Sequence, residues 1–347
     1  MERAAPKRGD LKRILKAFCG RRILVTGDLM LDEYLYGSTQ RISREAPVLI
    51  LAYDGSMIMP GGAGNACANI NSLGAVAVPV SVIGKDEAGS KLKTLLRSAG
   101  VPTDDVVSVE RFETIQKTRV LAGGFHCAKQ QVIRIDRGKA VSMGGRIEGL
   151  LVERALSLLP SCDAVLFSDY GYGAVSERLR GEVTVEARRR RIPVCVDSRY
   201  ELLKFRGASV ATPNEVEAGL ASGVVVRDTM SLLEAGRRLM KKMALSSLVI
   251  TQGSSGMTVF DSKRAPVKMP IFGSDEIADV TGAGDTVAAA IILSLSAGAG
   301  IVEASCIATY ASSVVVMKRG TAVATQAEVL EGIEAGRIVG TPVLRPT

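Results

Sequence analysis

Tryptophan is absent from the chain, histidine occurs once, at His126, and aromatic residues make up only 4%. Single-stranded nucleic acid is held on aromatic platforms interleaved with basic residues, and neither the number nor the spacing of aromatics here provides one, so no nucleic-acid partner is expected. The six cysteines, at positions 19, 67, 127, 162, 195 and 306, form no CxxC pair. With one histidine for company they cannot supply a zinc site, and those in apolar runs such as Val194-Cys195-Val196 read as reduced core residues of a cytoplasmic protein. His126 sits in loop-like sequence with no evident partner and reads as solvent-exposed. The longest apolar stretch, residues 287–302, is interrupted by serines and glycines and falls short of a membrane span. No signal-peptide core occurs at the start; Leu11, Ile14, Leu15 and Phe18 recur at helical spacing, which predicts a helical extension over residues 1–20. GxxxxGK[ST], HRD and DFG are all missing, which excludes P-loop and protein-kinase machinery.

What is present is a chain of 347 residues, 47% apolar and 23% charged, with 36 glycines and a formal charge of +8. That size and composition suit a soluble α/β enzyme with a full core. The densest basic run, Arg188 to Arg191, follows helix-like sequence and reads as a solvated helix end. Short buried-strand runs occur at residues 22–28, 77–83, 164–168, 193–197, 209–212 and 247–251. Helical patterns at 88–99, 147–159 and 228–243 lie between them. The alternation predicts a mostly parallel sheet covered by helices on both faces. Residues 34–59 and 114–136 break the rhythm as extended, alternating segments and are expected to form a small accessory β lid within a single domain spanning 21–347.

Chemistry concentrates in Asp279-Val-Thr-Gly-Ala-Gly-Asp285-Thr-Val, which precedes a helix-like run. Small residues at a helix start leave backbone amides open to a phosphate, so Gly282, Ala283 and Gly284 form a candidate anion hole. Asp285, in the first helical turn, is placed to orient an attacking hydroxyl, and the helix dipole is expected to keep it ionised. Val287 occupies the third glycine position of GxGxxG, so this is no dinucleotide fingerprint. Gly61 and Gly62, before the helix-like run from Asn65, either let the backbone approach a polyol or simply pack a strand on a helix. Asp32 is a lone carboxylate in an apolar setting, able to accept from hydroxyls or merely an exposed loop residue. Asn214 and Glu217, three apart after Pro213, are either a helix cap or a magnesium-organising pair. Thr251-Gln-Gly-Ser-Ser-Gly256 ends a strand in a glycine turn. Lys117, Arg119 and Arg134 are cations on the accessory strands, surface charges or phosphate ligands.

Taken in order, these motifs resemble the PfkB (ribokinase-like) carbohydrate kinases over residues 23–321. The catalytic signature is matched by residues 279–287, and the N-terminal glycine signature by Gly61-Gly-Ala-Gly-Asn65 with Leu73-Gly74. Within the family, Gly27-Asp-Leu-Met-Leu-Asp32, Tyr36-Gly37, Arg41-Ile-Ser-Arg-Glu-Ala-Pro-Val48, Lys117-Thr-Arg119, Ile133-Arg-Ile-Asp136 and Ser168-Asp-Tyr-Gly171 are similar to the kinases of D-glycero-D-manno-heptose 7-phosphate. The resemblance implies a ribokinase-like fold, ATP with Mg²⁺ and a monovalent cation such as K⁺, and a homodimer formed through the lid. It assigns sugar binding to Asp32, Gly61, Gly62 and Asn65, magnesium and phosphates to Asn214 and Glu217, and the nucleotide to Thr251, Gly253, Gly256, Thr281 and Gly320, with residues 308–312 enclosing adenine. It also implies phosphorylation of the anomeric hydroxyl on the way to ADP-heptose. Two positions depart from the pattern. Thr309 stands where an Asn is expected against adenine, and Tyr172 stands where the heptose kinases carry a Lys toward the substrate phosphate. A kinase of another sugar, sugar phosphate or nucleoside is the alternative, and a non-catalytic sugar or nucleotide sensor the second.

Overall fold

The computed structural model describes residues 6–123, 129–141, 144–273, 278–336 and 338–343. His126 and Cys127 lie outside them. In chain order the strands are β1 (Arg22–Gly27), β2 (Leu29–Ile42), β3 (Leu49–Gly62), β4 (Val76–Pro79), β5 (Ser81–Gly84), β6 (Val106–Val109), β7 (Ile115–Gly123), β8 (Gln130–Arg137), β9 (Ala164–Asp169), β10 (Val194–Ser198), β11 (Val210–Ala211), β12 (Ser247–Thr251), β13 (Met257–Asp261), β14 (Arg264–Met269) and β15 (Thr341–Pro342). The helices are α1 (Arg8–Lys16), α2 (Ala63–Ser72), α3 (Glu87–Ser98), α4 (Gly145–Leu158), α5 (Glu177–Arg189), α6 (Glu215–Ser222), α7 (Thr229–Met243), α8 (Ala283–Ser296), α9 (Ile301–Val316) and α10 (Gln326–Ala335).

The main sheet runs β15-β14-β13-β12-β11-β10-β9-β1-β4. It is parallel from β4 to β12 and antiparallel from β13 onward. Successive strand side chains point to opposite faces, and that alternation sorts the core. Ile23, Val25, Leu166 and Cys195 face a layer built on α2, α8 and α9. Leu24, Val165, Phe167, Val194 and Val196 face α4, α5 and α7. Leu11, Ile14, Leu15 and Phe18 are buried in the first of these cores, so α1 is packed into it rather than appended.

The apolar run at 77–83 divides into two strands. Pro79, paired with Val25, ends β4, and the chain leaves the main sheet so that β5 pairs with β6 in a separate ribbon. A four-stranded sheet, β3-β2-β7-β8, leans out from the carboxyl ends of the parallel strands. In it β2 and β7 run parallel, with Asp32 beside Lys117 and Tyr34 beside Arg119. Because the pleat has period two, Asp32, Lys117, Arg119 and Arg134 share one face while Leu31, Glu33, Thr118 and Ile135 line a cavity on the other.

Leu15 is 1% exposed. The Leu15→Ala chain is expected to lose about 2–5 kcal/mol of unfolding free energy, read as a lower midpoint in urea at unchanged slope.

Candidate active site

A cavity of about 410 Å³ opens at the carboxyl ends of the parallel strands, between them and the accessory sheet. Sheet crevices of this kind collect side chains from many strand ends. Asp285 stands at its floor and is 2% exposed. Helix α8 is apolar all round, with ten residues from Asp285 to Ser294 buried, as expected of a helix enclosed by its neighbours. Its first turn therefore carries a carboxylate into a poorly solvated place. Asn65 Nδ2 donates to Oδ2 of Asp285 at 3.0 Å, and Tyr170 Oη donates to Oδ1 at 2.8 Å. Burial nevertheless pushes the Asp285 carboxyl up to about 6, against the lowering effect of those two hydrogen bonds and of Lys117, with Asp32 raising it further. The helix dipole was expected to keep the group ionised, and desolvation outweighs it.

The turn before α8 is held in shape by Asp279. Its Oδ1 accepts from Thr281 N and Oγ1 at 2.9 and 2.7 Å, and its Oδ2 from Gly320 N at 3.0 Å. Gly282 is left-handed, φ 81°, and a Cβ there would stand 2.4 Å from Asn65 Nδ2. Only glycine tolerates both conditions. Ala283 N–H turns back to Val280 O and Thr286 N–H to Gly282 O, while the N–H groups of Gly284 and Asp285 have no acceptor among the described residues. Those two amides, at the positive end of α8, can receive an anion.

The cationic side of the cavity comes from the accessory sheet and from the segment after β10. Arg119 Nη1 pairs with Asp32 Oδ1 at 2.6 Å, and its guanidinium lies 5.2 Å from the Tyr34 ring centre. Lys117 is 6% exposed and pairs with no carboxylate among the described residues; its ammonium lies 5.2 Å from the Tyr170 ring and 5.5 Å from the Tyr172 ring. Burial, with Arg199 nearby, holds it below the usual lysine range. Arg134 reaches the cavity but is turned onto Asp136 by two hydrogen bonds of 2.8 and 2.9 Å.

Several candidate residues are placed differently from what their spacing suggested. Asn65, expected to offer its amide to a polyol, is fully buried and gives it to Asp285 and Gly282 O, while its Oδ1 accepts from Asn69. Gly61 packs on Asp32, whose Oδ2 would lie 2.4 Å from an added Cβ, whereas Gly62, φ 56°, lines the cavity. Asn214 and Glu217 form a capping box at the start of α6, each side chain accepting the other's backbone N–H at 2.9 Å, and both still border the cavity. Thr251, Thr281 and Gly284 line it as well; Ala283, Gly253, Gly256 and Gly320 are not in its wall. Gly256 is instead a tight turn, where a Cβ would meet Met269 O at 2.1 Å. Thr309 is buried in α9, its hydroxyl donating to Ser305 O at 2.9 Å, so it offers no surface to a base. Among the described residues no three carboxylate, histidine or cysteine side chains group as a metal site.

Sequence reasoning missed Tyr170, Asp197, Arg199 and Thr212, all of which line the cavity. Burial holds Asp197 well above the usual carboxylate range, reinforced by Asp285 and Glu217, with Arg199 opposing. For Tyr170 the signal was its place in the Ser168-Asp-Tyr-Gly171 motif; for the others it was position alone, at or just past the ends of β10 and β11.

A parallel sheet with its crevice at the strand ends, a buried carboxylate at a glycine-turn helix start and a cationic cover define a phosphotransferase acting on an alcohol. The chain belongs to the pfkB family of carbohydrate kinases, whose model matches residues 21–328. It is 41% identical over 308 residues to the bifunctional protein HldE of Geobacter metallireducens, covering 88% of this chain and 62% of that protein. Identity to the bifunctional protein HldE of Gluconobacter oxydans is 36% over 309 residues, covering 88% of this chain and 63% of that protein. The chain thus spans less than two thirds of the length of these relatives. Arabidopsis thaliana ribokinase complexed with ribose and ATP superposes with a TM-score of 0.71 at 19% identity, over 91% of this chain and 99% of that one. Phosphofructokinase-2 of Escherichia coli in complex with fructose-6-phosphate gives 0.74 at 18% identity, with the same coverage. Those likenesses establish the ribokinase-like fold.

The folded protein holds the Asp285 proton more tightly than the unfolded chain, whose carboxyl has a pKa of 3.8. Stability from this group is therefore full below about pH 4 and is withdrawn as pH rises to about 6. Asp285→Asn is expected to unfold with a free energy up to about 3 kcal/mol above wild type at pH 8, the gap closing near pH 4 in parallel denaturant titrations.

Proposed function

We propose that the chain is an ATP-dependent kinase of D-glycero-D-manno-heptose 7-phosphate that phosphorylates the anomeric hydroxyl, a step toward ADP-heptose for lipopolysaccharide cores. The observation that carries the reading is that one cavity joins Asp285 and the open amides of α8 to Lys117, Arg119 and Arg199. An acceptor that is itself phosphorylated needs cations in the same cavity as the base, and Lys117, Arg119 and Arg199 line it. The choice of heptose rests on the motifs at 27–32, 41–48 and 133–136 and on the identity to the bifunctional HldE proteins. Tyr172 in place of a lysine favours one other reading, a pfkB kinase of a different sugar phosphate.

In this mechanism the acceptor hydroxyl donates to a free lone pair of Asp285, whose other contacts to Asn65 and Tyr170 fix the plane of the carboxylate. The proton moves late, as a loose phosphoryl-transfer transition state allows. The Gly284 and Asp285 amides, preorganised at the helix start, stabilise charge on the transferring group. Nucleotide occupies the side bordered by Asn214, Glu217 and Thr251. Magnesium, when bound with the nucleotide, would supply positive charge against its phosphates. Glu217 and Asn214, each half committed to capping, fit contact with it through water. A monovalent cation such as K⁺ belongs to the same reading. The four-stranded sheet closes the cavity, and its exposed Ile42, Tyr53 and Ile133 suit pairing with a second copy in a homodimer.

The test is ATP consumption with Mg²⁺ over heptose 7-phosphate, other sugar 7-, 6- and 1-phosphates and free sugars. Turnover confined to heptose 7-phosphate, falling about 10²–10⁴-fold in Asp285→Asn, is expected. Turnover on another sugar alone would refute the heptose assignment, and ligand binding without any turnover would leave a sensor. The kcat/KM profile is expected to rise with pH through about 6, as Asp285 ionises.

A further inference from the structure

We propose that Tyr170 is a positioning residue for phosphoryl transfer, its hydroxyl fixing the orientation of the Asp285 carboxylate and setting how readily that carboxylate takes the acceptor proton. The inference rests on Asp285 being the base. Its grounds are the rigidity of Tyr170 and the direct hydrogen bond from its hydroxyl to Asp285, the one partner that hydroxyl has among the described residues. Asp28, 2% exposed, accepts the backbone N–H groups of Tyr170 and Tyr172 on Oδ2 at 2.8 and 3.1 Å and of Ala174 on Oδ1 at 3.0 Å. Asp169 accepts that of Gly171 at 3.0 Å. Four backbone anchors on two carboxylates fix the loop, so the hydroxyl is delivered to Asp285 Oδ1 without a search.

The ring is held as firmly as the backbone. Lys117 Nζ, from β7, lies 5.2 Å from its centre, and the Arg199 guanidinium, beyond β10, lies 5.1 Å from it. The charged groups facing Tyr170 are thus Lys117 and Arg199, with Asp285 from α8 and Asp197 from β10. Burial and the two carboxylates hold the phenol far above its usual range, so it remains a hydrogen-bond donor at every working pH. A donor to an ionised carboxylate stabilises the charged form. Tyr170 therefore offsets part of the desolvation that pushes Asp285 upward and keeps the base available near neutrality. It also occupies one lone pair, leaving the acceptor a defined approach.

The experiment measures kcat and kcat/KM from pH 5 to 9 with ATP and the panel acceptor of highest turnover, using the full chain as wild type, as Tyr170→Phe and with 3,5-difluorotyrosine at position 170. Tyr170→Phe keeps the ring and its cation contacts and removes the donor. Its acid limb is expected to move up by about one pH unit, with a deficit of about fivefold near pH 6 that approaches about tenfold at pH 5 and narrows by pH 8.5. The difluorinated phenol, a stronger donor, is expected to move the limb the other way. The same shift is readable without turnover, because removing the donor carries the pH-dependent loss of stability about one unit higher. A loss equal at all pH values, or a limb unmoved in both chains, overturns the proposal. Turnover surviving in Asp285→Asn overturns the base reading on which it stands, whereas an inactive Asp285→Asn with an unmoved limb in Tyr170→Phe overturns this inference alone.

Discussion

The site depends on one carboxylate carried into a dry place and held there by two neutral donors. Asp285 lies at the start of a helix buried from Asp285 to Ser294, and the donors come from elements that are distant in sequence, Asn65 on α2 and Tyr170 after β9. The remaining features keep those three groups in register. Gly282 lets the turn pass Asn65 closely, Asp279 ties the turn to Gly320, and Asp28 fixes the loop that carries Tyr170. Were any of these supports to relax, the donors would drift from the carboxylate and lose their lowering effect, so its pKa would rise further and the group would stay protonated nearer neutrality.

The accessory sheet solves a separate problem, which is to bring cations to the far side of the cavity without building a second domain. Two strands of 14 residues leave the main sheet directly, β2 following β1 after a single residue and β3 leading straight into α2. The connection ties the sheet that carries Lys117 and Arg119 to the helix that carries Asn65. Arg119 is neutralised by Asp32, but Lys117 is left with two tyrosine rings. A buried ammonium without a carboxylate partner among the described residues is costly unless a ligand supplies the negative charge, so on the proposed function Lys117 would meet the anionic part of the acceptor.

How much of this could be read from the chain follows from how local each feature is. The parallel sheet was visible because strand and helix periods alternate over most of the length, and the nonapeptide at 279–287 was visible because a turn and a helix start are contiguous in sequence. Asn65 was misdirected because spacing cannot say whether an amide faces a ligand or a neighbouring helix; the structure turns it toward Asp285. Asn214 and Glu217 admitted two readings and satisfy the capping one while bordering the cavity. Tyr170, Asp197 and Arg199 could not be found as a group, since they converge only when β9 and β10 lie side by side.

The same convergence leaves the side chains of the site electrostatically unbalanced among themselves. Asp28, Asp169, Asp197, Glu217 and Asp285 all have carboxyls raised by burial, and several raise one another. Their crowding disfavours full ionisation, as it must wherever like charges share a poorly solvated space. On the proposed function, positive charge entering with a metal–nucleotide complex would relieve that repulsion near Glu217 and Asp197, and an anionic acceptor would relieve the opposite imbalance at Lys117. Each ligand is then bound partly because it corrects a charge the fold cannot neutralise alone. Ligand binding and stability are consequently linked, and the native state is held more firmly when the cavity is filled than when it is open.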